Sequence, residues 1–177
     1  MENLNETRPE TAAREFVISR VFDAPRNLVF KAWTEAEQLE QWWGPKGLSL
    51  KVAKLEMRPG GMFHYCIGLP DGQSMWGRFI YSSIVEPERL VYINSFSDET
   101  GEIIRAPFSQ EWPLEIHNTL TLTEQDGKTT LTQRSQPIHA TAEERKTFEQ
   151  ALDALHKGCT GTFDQLEDYL AKLKVQA

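Results

Sequence analysis

The run Thr141–Leu173, TAEERKTFEQALDALHKGCTGTFDQLEDYLAKL, decides how the rest of this chain is read. Thr141 followed three residues later by Glu144 is the spacing in which each side chain satisfies a free amide at a helix start. Advancing about 100° per residue, Phe148, Leu152, Leu155, Cys159, Phe163, Leu166, Leu170 and Leu173 share one stripe, and Glu143, Lys146, Gln150, Asp153, Lys157, Asp164 and Asp168 lie opposite. One face wants a core and the other wants water. A single helix of this length would be roughly 50 Å long, against about 27 Å for an eight-residue strand, so it must span a whole sheet and bend. Gly158 and Gly161 lie off the stripe, and each costs about 1 kcal/mol relative to Ala inside a helix. The bend is expected there.

Upstream, the period changes from element to element. Residues Glu15–Asp23 carry Phe16 and Ile18 in loose alternation, which predicts a first strand closed by Asp23-Ala24-Pro25. Pro25 suits the first turn of a helix, with Asp23 or Ala24 near its cap, and Leu28, Val29, Ala32 and Trp33 continue with helical spacing. A second short helix is expected over Thr34–Trp42, opened by Thr34 and Glu37 and ended by Gly44-Pro45. From Leu48 the period is two: Leu48, Leu50 and Val52, then Phe63, Tyr65 and Ile67, then Met75–Val85, Leu90–Phe96, Leu114–Thr123 and Thr129–Gln136 read as strands. Turns at Pro59-Gly60-Gly61, Pro70-Asp71-Gly72, Pro87-Glu88 and Asp126-Gly127 join them, the last being a strong hairpin signal. Pro137 is expected to end the sheet. Ser97–Pro113 is a long polar interruption carrying Ile103, Ile104, Phe108 and Trp112, and loops of that length in compact domains are functional or disordered; the apolar residues favour a lid. No strand-helix-strand crossover occurs, so the class is α+β, with an antiparallel sheet of about seven strands and helices on one face.

With 177 residues, 40% hydrophobic and 25% charged, the chain suits one soluble domain, taken as residues 15–174 after a flexible tail over 1–14. No apolar run approaches the ~18 residues of a membrane span, and Met1–Arg14 lacks the apolar segment of a secretory signal, so a cytoplasmic protein is expected. A net charge of −7 argues against nucleic acid or an anionic membrane as a partner. Cys66 and Cys159 stand alone and read as reduced thiols.

Several stretches also carry a family pattern. Phe22-Asp23-Ala24-Pro25, Val29-Phe30-Lys31-Ala32-Trp33-Thr34, Leu39-Glu40-Gln41-Trp42-Trp43-Gly44-Pro45, Arg58-Pro59-Gly60-Gly61, Pro87-Glu88-Arg89-Leu90-Val91, Gly127-Lys128-Thr129-Thr130-Leu131-Thr132 and Gly158-Cys159-Thr160-Gly161-Thr162-Phe163 follow in order. Together they resemble the SRPBCC (START/Bet v 1-like) superfamily, and within it the branch named after the activator of Hsp90 ATPase. That resemblance implies the helix-grip (Bet v 1-like) fold, a curved antiparallel sheet around a long C-terminal helix with two short helices after strand 1 and a cavity between sheet and helix. Members of the superfamily include ligand carriers, chaperone regulators, resistance proteins and some cyclases or hydrolases, so fold alone does not decide function.

The residues expected to line such a cavity are Trp43, Phe63, Tyr65, Trp76, Phe79, Tyr92, Phe96, Trp112, Asn118, Gln133, Phe148, Leu152 and His156. Adjacent indoles at Trp42 and Trp43 must point in different directions, one to the core and one to the cavity mouth. Trp76 and Phe79 differ in parity and cannot both face inward without a bulge. Asn118 and Gln133 share the alternation of Leu120, Leu122 and Leu131, and a buried amide needs partners. No His/Cys cluster with zinc spacing exists, no nucleophile elbow or phosphate loop is present, and no metal, cofactor or catalytic residue is assigned. Three roles remain open: binding of a small hydrophobic or aromatic ligand, a stress-response or chaperone (Hsp90)-associated interaction as monomer or homodimer, and a cyclase- or hydrolase-type enzyme using His156 with Asn118 or Gln133.

Overall fold

A computed structural model describes residues 14–175. The expected tail, 1–14, lies outside the described residues except for Arg14, whose amide donates to Glu149 Oε1 (2.8 Å). The elements run β1 (Phe16–Phe22), α1 (Arg26–Thr34), α2 (Ala36–Trp42), β2 (Ser49–Leu55), β3 (Met62–Gly68), β4 (Ser74–Val85), β5 (Arg89–Ser97), β6 (Glu115–Gln125), β7 (Lys128–Ile138), α3 (Ala142–Gln150) and α4 (Leu152–Val175).

Period-two alternation places Phe63, Tyr65 and Ile67 of β3, Ile116, Asn118, Leu120 and Leu122 of β6 and Leu131 of β7 on one buried face. The seven strands are ordered β1-β7-β6-β5-β4-β3-β2, all antiparallel, so β2 to β7 form consecutive hairpins and β1 returns beside β7. At the β6–β7 turn Asp126 (φ 54°) and Gly127 (φ 75°) both take the left-handed backbone that a two-residue hairpin with right-twisting strands requires. Register shifts between Val52 and Lys54 and between Tyr81 and Ser83 bend their strands and add curvature. β7 runs one residue past Pro137, which pairs with Ile116 of β6. Pairing with β1 reaches only to Ser135, so the missing N–H of Pro137 interrupts no ladder on that side.

The C-terminal rod is two helices rather than one. The break lies at Ala151 (φ −95°, ψ 0°), whose amide bonds to Phe148 O (3.0 Å), and α4 then passes through Gly158 and Gly161 without interruption. Packing sets the break: Phe148 turns in against Trp112 (5.7 Å), whereas α4 buries Phe163, Leu166 and Leu170. Glycine lowers helix propensity, but tertiary contacts decide where a helix bends. The start of α2 also differs from expectation. Thr34 ends α1, its hydroxyl donating to Phe30 O (2.8 Å), and Glu35 takes the cap position; a hydroxyl bonded four residues back cannot cap forward. Pro25 is the cap residue of α1 itself, one position earlier than expected.

The capping box at Thr141 is formed in both directions: Glu144 N donates to Thr141 Oγ1 (3.1 Å) and Thr141 N to Glu144 Oε1 (3.2 Å). Burial opposes ionisation of Glu144, but the Thr141 amide and then the Arg105 guanidinium (3.1 Å) hold its carboxyl below the usual carboxylate range. A lowered folded-state value stabilises the protein above the unfolded value of about 4.3, and that contribution is lost as pH falls through the folded one. Thr141→Ala should cost about 1 kcal/mol, read as a lower denaturant midpoint at unchanged slope. Gly77 sits opposite Tyr65 on the inner face, where an added Cβ would be 2.8 Å from Tyr65 Cε2 and closer still to Cζ and Oη. Gly77→Ala should therefore destabilise by about 1–3 kcal/mol through overpacking, measurable in the same titration.

Candidate functional site

Sheet and helix do not meet along their whole length. Toward its C-terminal end α4 packs closely: Phe163 lies edge-on to Phe22 (6.0 Å) and Trp33 (6.5 Å), and Leu166 and Leu170 are buried. Toward its N-terminal end Leu155 and Cys159 are only half-buried against the core, and the small residues Ala154, Gly158 and Thr162 line the flank beside them. Spaced four apart, these three share one line along the helix, and across from them the curved sheet leaves a hollow of about 490 Å³. Ala154, Gly158 and Phe108 are exposed although they line it, so the hollow opens to solvent between α4 and the β5–β6 loop.

One wall is aromatic. Phe79 and Tyr92 stack at 4.1 Å and 14°, and Trp43 meets Tyr65 (4.7 Å), Phe79 (5.5 Å) and Phe63 (5.7 Å) edge-on. Trp43 reaches that place because its neighbour is pinned the other way. Trp42 is buried and donates from Nε1 to Ala32 O (3.0 Å), while Gln165 Nε2 donates to Trp42 O (3.1 Å) and Gly44 O (2.8 Å), and Thr162 Oγ1 to Gly44 O (2.9 Å). On the opposite rim Phe108 and Trp112 of the β5–β6 loop link β5 to α3 in a chain of rings: Phe96 to Phe108 (5.6 Å), Phe108 to Trp112 (5.6 Å) and Trp112 to Phe148 (5.7 Å). Phe108 is 65% exposed. Arg105 ties that loop to α3 through Glu144 (3.1 Å) and to Trp112 O (3.5 Å).

The polar lining is uncharged. Asn118 Oδ1 accepts from Ser135 Oγ (2.5 Å) and Gln133 Nε2 (3.5 Å), Asn118 Nδ2 donates to Ile116 O (3.0 Å), and Asn94 Nδ2 donates to Tyr65 OH (3.2 Å) and Arg78 O (3.1 Å). No Asp, Glu, Lys, Arg or His lines the hollow among the described residues. Burial pushes the Tyr65 phenol up to about 12, the Cys159 thiol up to about 11 and the Tyr92 phenol well above its ordinary value. All three are neutral near pH 7, and a thiol so raised is a poor nucleophile. Among the described residues no group of three or more His, Cys, Asp or Glu is placed to hold a metal ion. Nor is any helix long and apolar enough to cross a membrane.

Of the residues singled out in the sequence, Trp43, Tyr65, Phe79, Tyr92, Phe96, Trp112, Asn118, Gln133 and Phe148 come together around the hollow. Phe63 is fully buried behind Trp43 and does not line it. Trp76 borders the hollow, but its indole stacks on His64 (4.9 Å, 30°), which alternates with the inward Phe63 and Tyr65. The β3–β4 register is unbroken from Met62 to Gly68, so no bulge turns the Trp76 ring inward. Leu152 is half-buried outside the lining and His156 is exposed. Both lie on the flank of the stripe away from Ala154, Gly158 and Thr162, so His156 does not meet Asn118 or Gln133. Asn94 and Ser135 were missed, although they share parity with Tyr92 and Gln133 respectively. Trp33 also lines the hollow, with Nε1 buried and unpartnered, and nothing in its local pattern marks it out.

The sequence matches the family described as Activator of Hsp90 ATPase homolog 1-like protein over residues 23–171. Solved structures of similar shape include one from Staphylococcus epidermidis, 30% identical, covering 92% of this chain and 94% of that one with a TM-score of 0.73. One from Arthrobacter aurescens is 27% identical over 90% of this chain and 87% of that one, with a TM-score of 0.76. The AHSA1 protein from Silicibacter pomeroyi, 16% identical over 93% and 100% of the two chains, shares the fold with a TM-score of 0.67. Among curated proteins none matches. A match spanning most of the sequence, on a seven-stranded helix-grip fold, means that this chain belongs to the Activator of Hsp90 ATPase homolog 1-like family.

Proposed function

We propose that the protein is a binding module for a small apolar or aromatic molecule held between α4 and the sheet. The observation that carries this reading is the hollow of about 490 Å³, within the ~300–1,000 Å³ typical of small-molecule pockets. Its chemistry agrees: rings form the walls, and a few amides and hydroxyls supply orientation. Closing it would have been easy. A Cβ added at Gly158 meets nothing within 4 Å, so larger side chains could stand there without clash, and a helix interior ordinarily disfavours glycine.

The test is titration with N-phenyl-1-naphthylamine, a neutral apolar dye, followed by its own emission and by quenching of tryptophan, together with mass spectrometry of whatever co-purifies. A saturable response at one site per chain is expected. No response to the dye or to aliphatic and aromatic competitors, with nothing co-purifying, would remove the proposal.

Substitution separates binding from folding. Gly158→Leu should place a side chain at the mouth of the hollow and weaken the dye response while raising stability by about 1 kcal/mol from helix propensity. Gly161→Ala, outside the lining and with open space around its Cβ, should raise stability by about the same amount and keep the response. Dye titration and denaturant melts on both variants check the pair. Loss of binding in both would mean that helix rigidity, not the space at Gly158, controls the response.

A further inference from the structure

We infer that the hollow selects an uncharged molecule whose polar group both donates and accepts a hydrogen bond, an amide or an alcohol, and rejects the carboxylate or ammonium of the same shape. This rests on the binding role proposed above. Two observations carry it. The first is the lining itself: sheet, α1, α2, α3, α4 and the β5–β6 loop together turn no Asp, Glu, Lys, Arg or His side chain into the hollow among the described residues. The guanidinium of Arg78 is directed to Gly101 O (2.8 Å), leaving only its backbone carbonyl to Asn94. Arg105 and Glu144, at Trp112, are paired with each other. A bare ion entering this space would lose water and gain no counter-ion, which is the costly case for burial.

The second observation is the spare hydrogen-bonding capacity of the wall. Gln133 and Asn94 each use their amide N–H groups within the protein, and their carbonyl oxygens accept no hydrogen bond among the described residues. The Tyr65 hydroxyl accepts from Asn94 and keeps its own proton to give, and the Tyr92 hydroxyl, on a ring 97% removed from solvent (3% exposed), makes no hydrogen bond there. Free acceptors and free donors on one lining, the Trp33 Nε1 among the donors, fit a group that has both. A carboxylate offers only acceptors, so the carbonyls of Gln133 and Asn94 would face it lone pair to lone pair; an ammonium offers only donors and leaves the phenol protons without an acceptor. The titratable groups facing the ligand are Tyr65, Tyr92 and Cys159. None supplies charge near neutral pH.

The experiment uses the unmodified protein and three probes on one naphthalene frame: naphthalene-2-carboxamide, naphthalene-2-carboxylate and naphthalen-2-ylmethylammonium, each displacing the bound neutral dye. Working between pH 6.5 and 8.5 avoids the sequence pI near 5.2. If only the neutral acid enters, a carboxyl with a solution pKa of about 4.3 should bind roughly 1,000-fold more weakly than the amide near pH 7.4. Its apparent affinity should then rise about tenfold for each unit the pH falls. The ammonium should show the opposite slope, and the amide none. A carboxylate within threefold of the amide, or one whose affinity ignores pH, overturns the charge rejection while leaving the binding role standing. Binding by none of the three, with no response to the dye itself, overturns both.

Discussion

Gln165 and Thr162 donate to the carbonyls of Trp42 and Gly44, and this clasp decides where the C-terminal helix touches the rest of the molecule. Neutral hydrogen bonds contribute only about 0.5–1.5 kcal/mol each, so the clasp supplies position more than stability. Stability at this end comes from Phe163, Leu166 and Leu170, each worth roughly 1.5–3 kcal/mol when fully buried. Arg20 adds ion pairs to Asp164 and Glu167 (2.6 Å each), but both carboxylates are about half exposed and such pairs contribute little. On the N-terminal side of this clasp α4 buries less, with Leu155 and Cys159 only half-buried. The hollow lies under that end.

The same clasp orients the aromatic wall. By holding the backbone on either side of Trp43, it sends Trp42 into the core and Trp43 across Tyr65 and Phe79, where edge-on ring contacts add about 0.5–1.5 kcal/mol per pair beyond burial. Of the amides and hydroxyls between the rings, Ser135 and Gln133 donate to Asn118, and Asn94 donates to Tyr65. A buried polar network of this kind is rigid when complete. Neutrality follows from burial, since the phenols and the thiol that face the space resist ionisation.

How far the chain could be read depended on whether a signal was local. Strand alternation, the turns at Pro59-Gly60 and Asp126-Gly127, and the capping box at Thr141 arise from neighbours in sequence, and each was found where expected. The Thr34–Glu37 spacing mimicked a cap because nothing local reveals that the Thr34 hydroxyl is already bonded to Phe30 O. Gly158 and Gly161 suggested a bend for the same reason: propensity is local, whereas the break at Ala151 answers to Phe148 packing on Trp112. In the site, strand parity brings Tyr65, Phe79, Tyr92, Phe96, Asn118 and Gln133 to the hollow, leaves Phe63 behind Trp43, and sets Trp76, of the other parity, at the border against His64. Leu152 and His156 lie outside the lining because an apolar stripe names the face that packs, not the flank that stands clear.

The sequence by itself determined an α+β chain with an antiparallel sheet of hairpins, two short helices after the first strand and an amphipathic C-terminal segment, because period, turn chemistry and capping act over a few residues. Tertiary structure alone decided that the segment splits at Ala151, that Thr162 and Gln165 clasp the backbone of Trp42 and Gly44, and that the small residues Ala154, Gly158 and Thr162 border a hollow. A small side chain carries no hydrophobic signal of its own; its meaning is the distance it leaves to the opposite wall, and that distance exists only after the chain has folded.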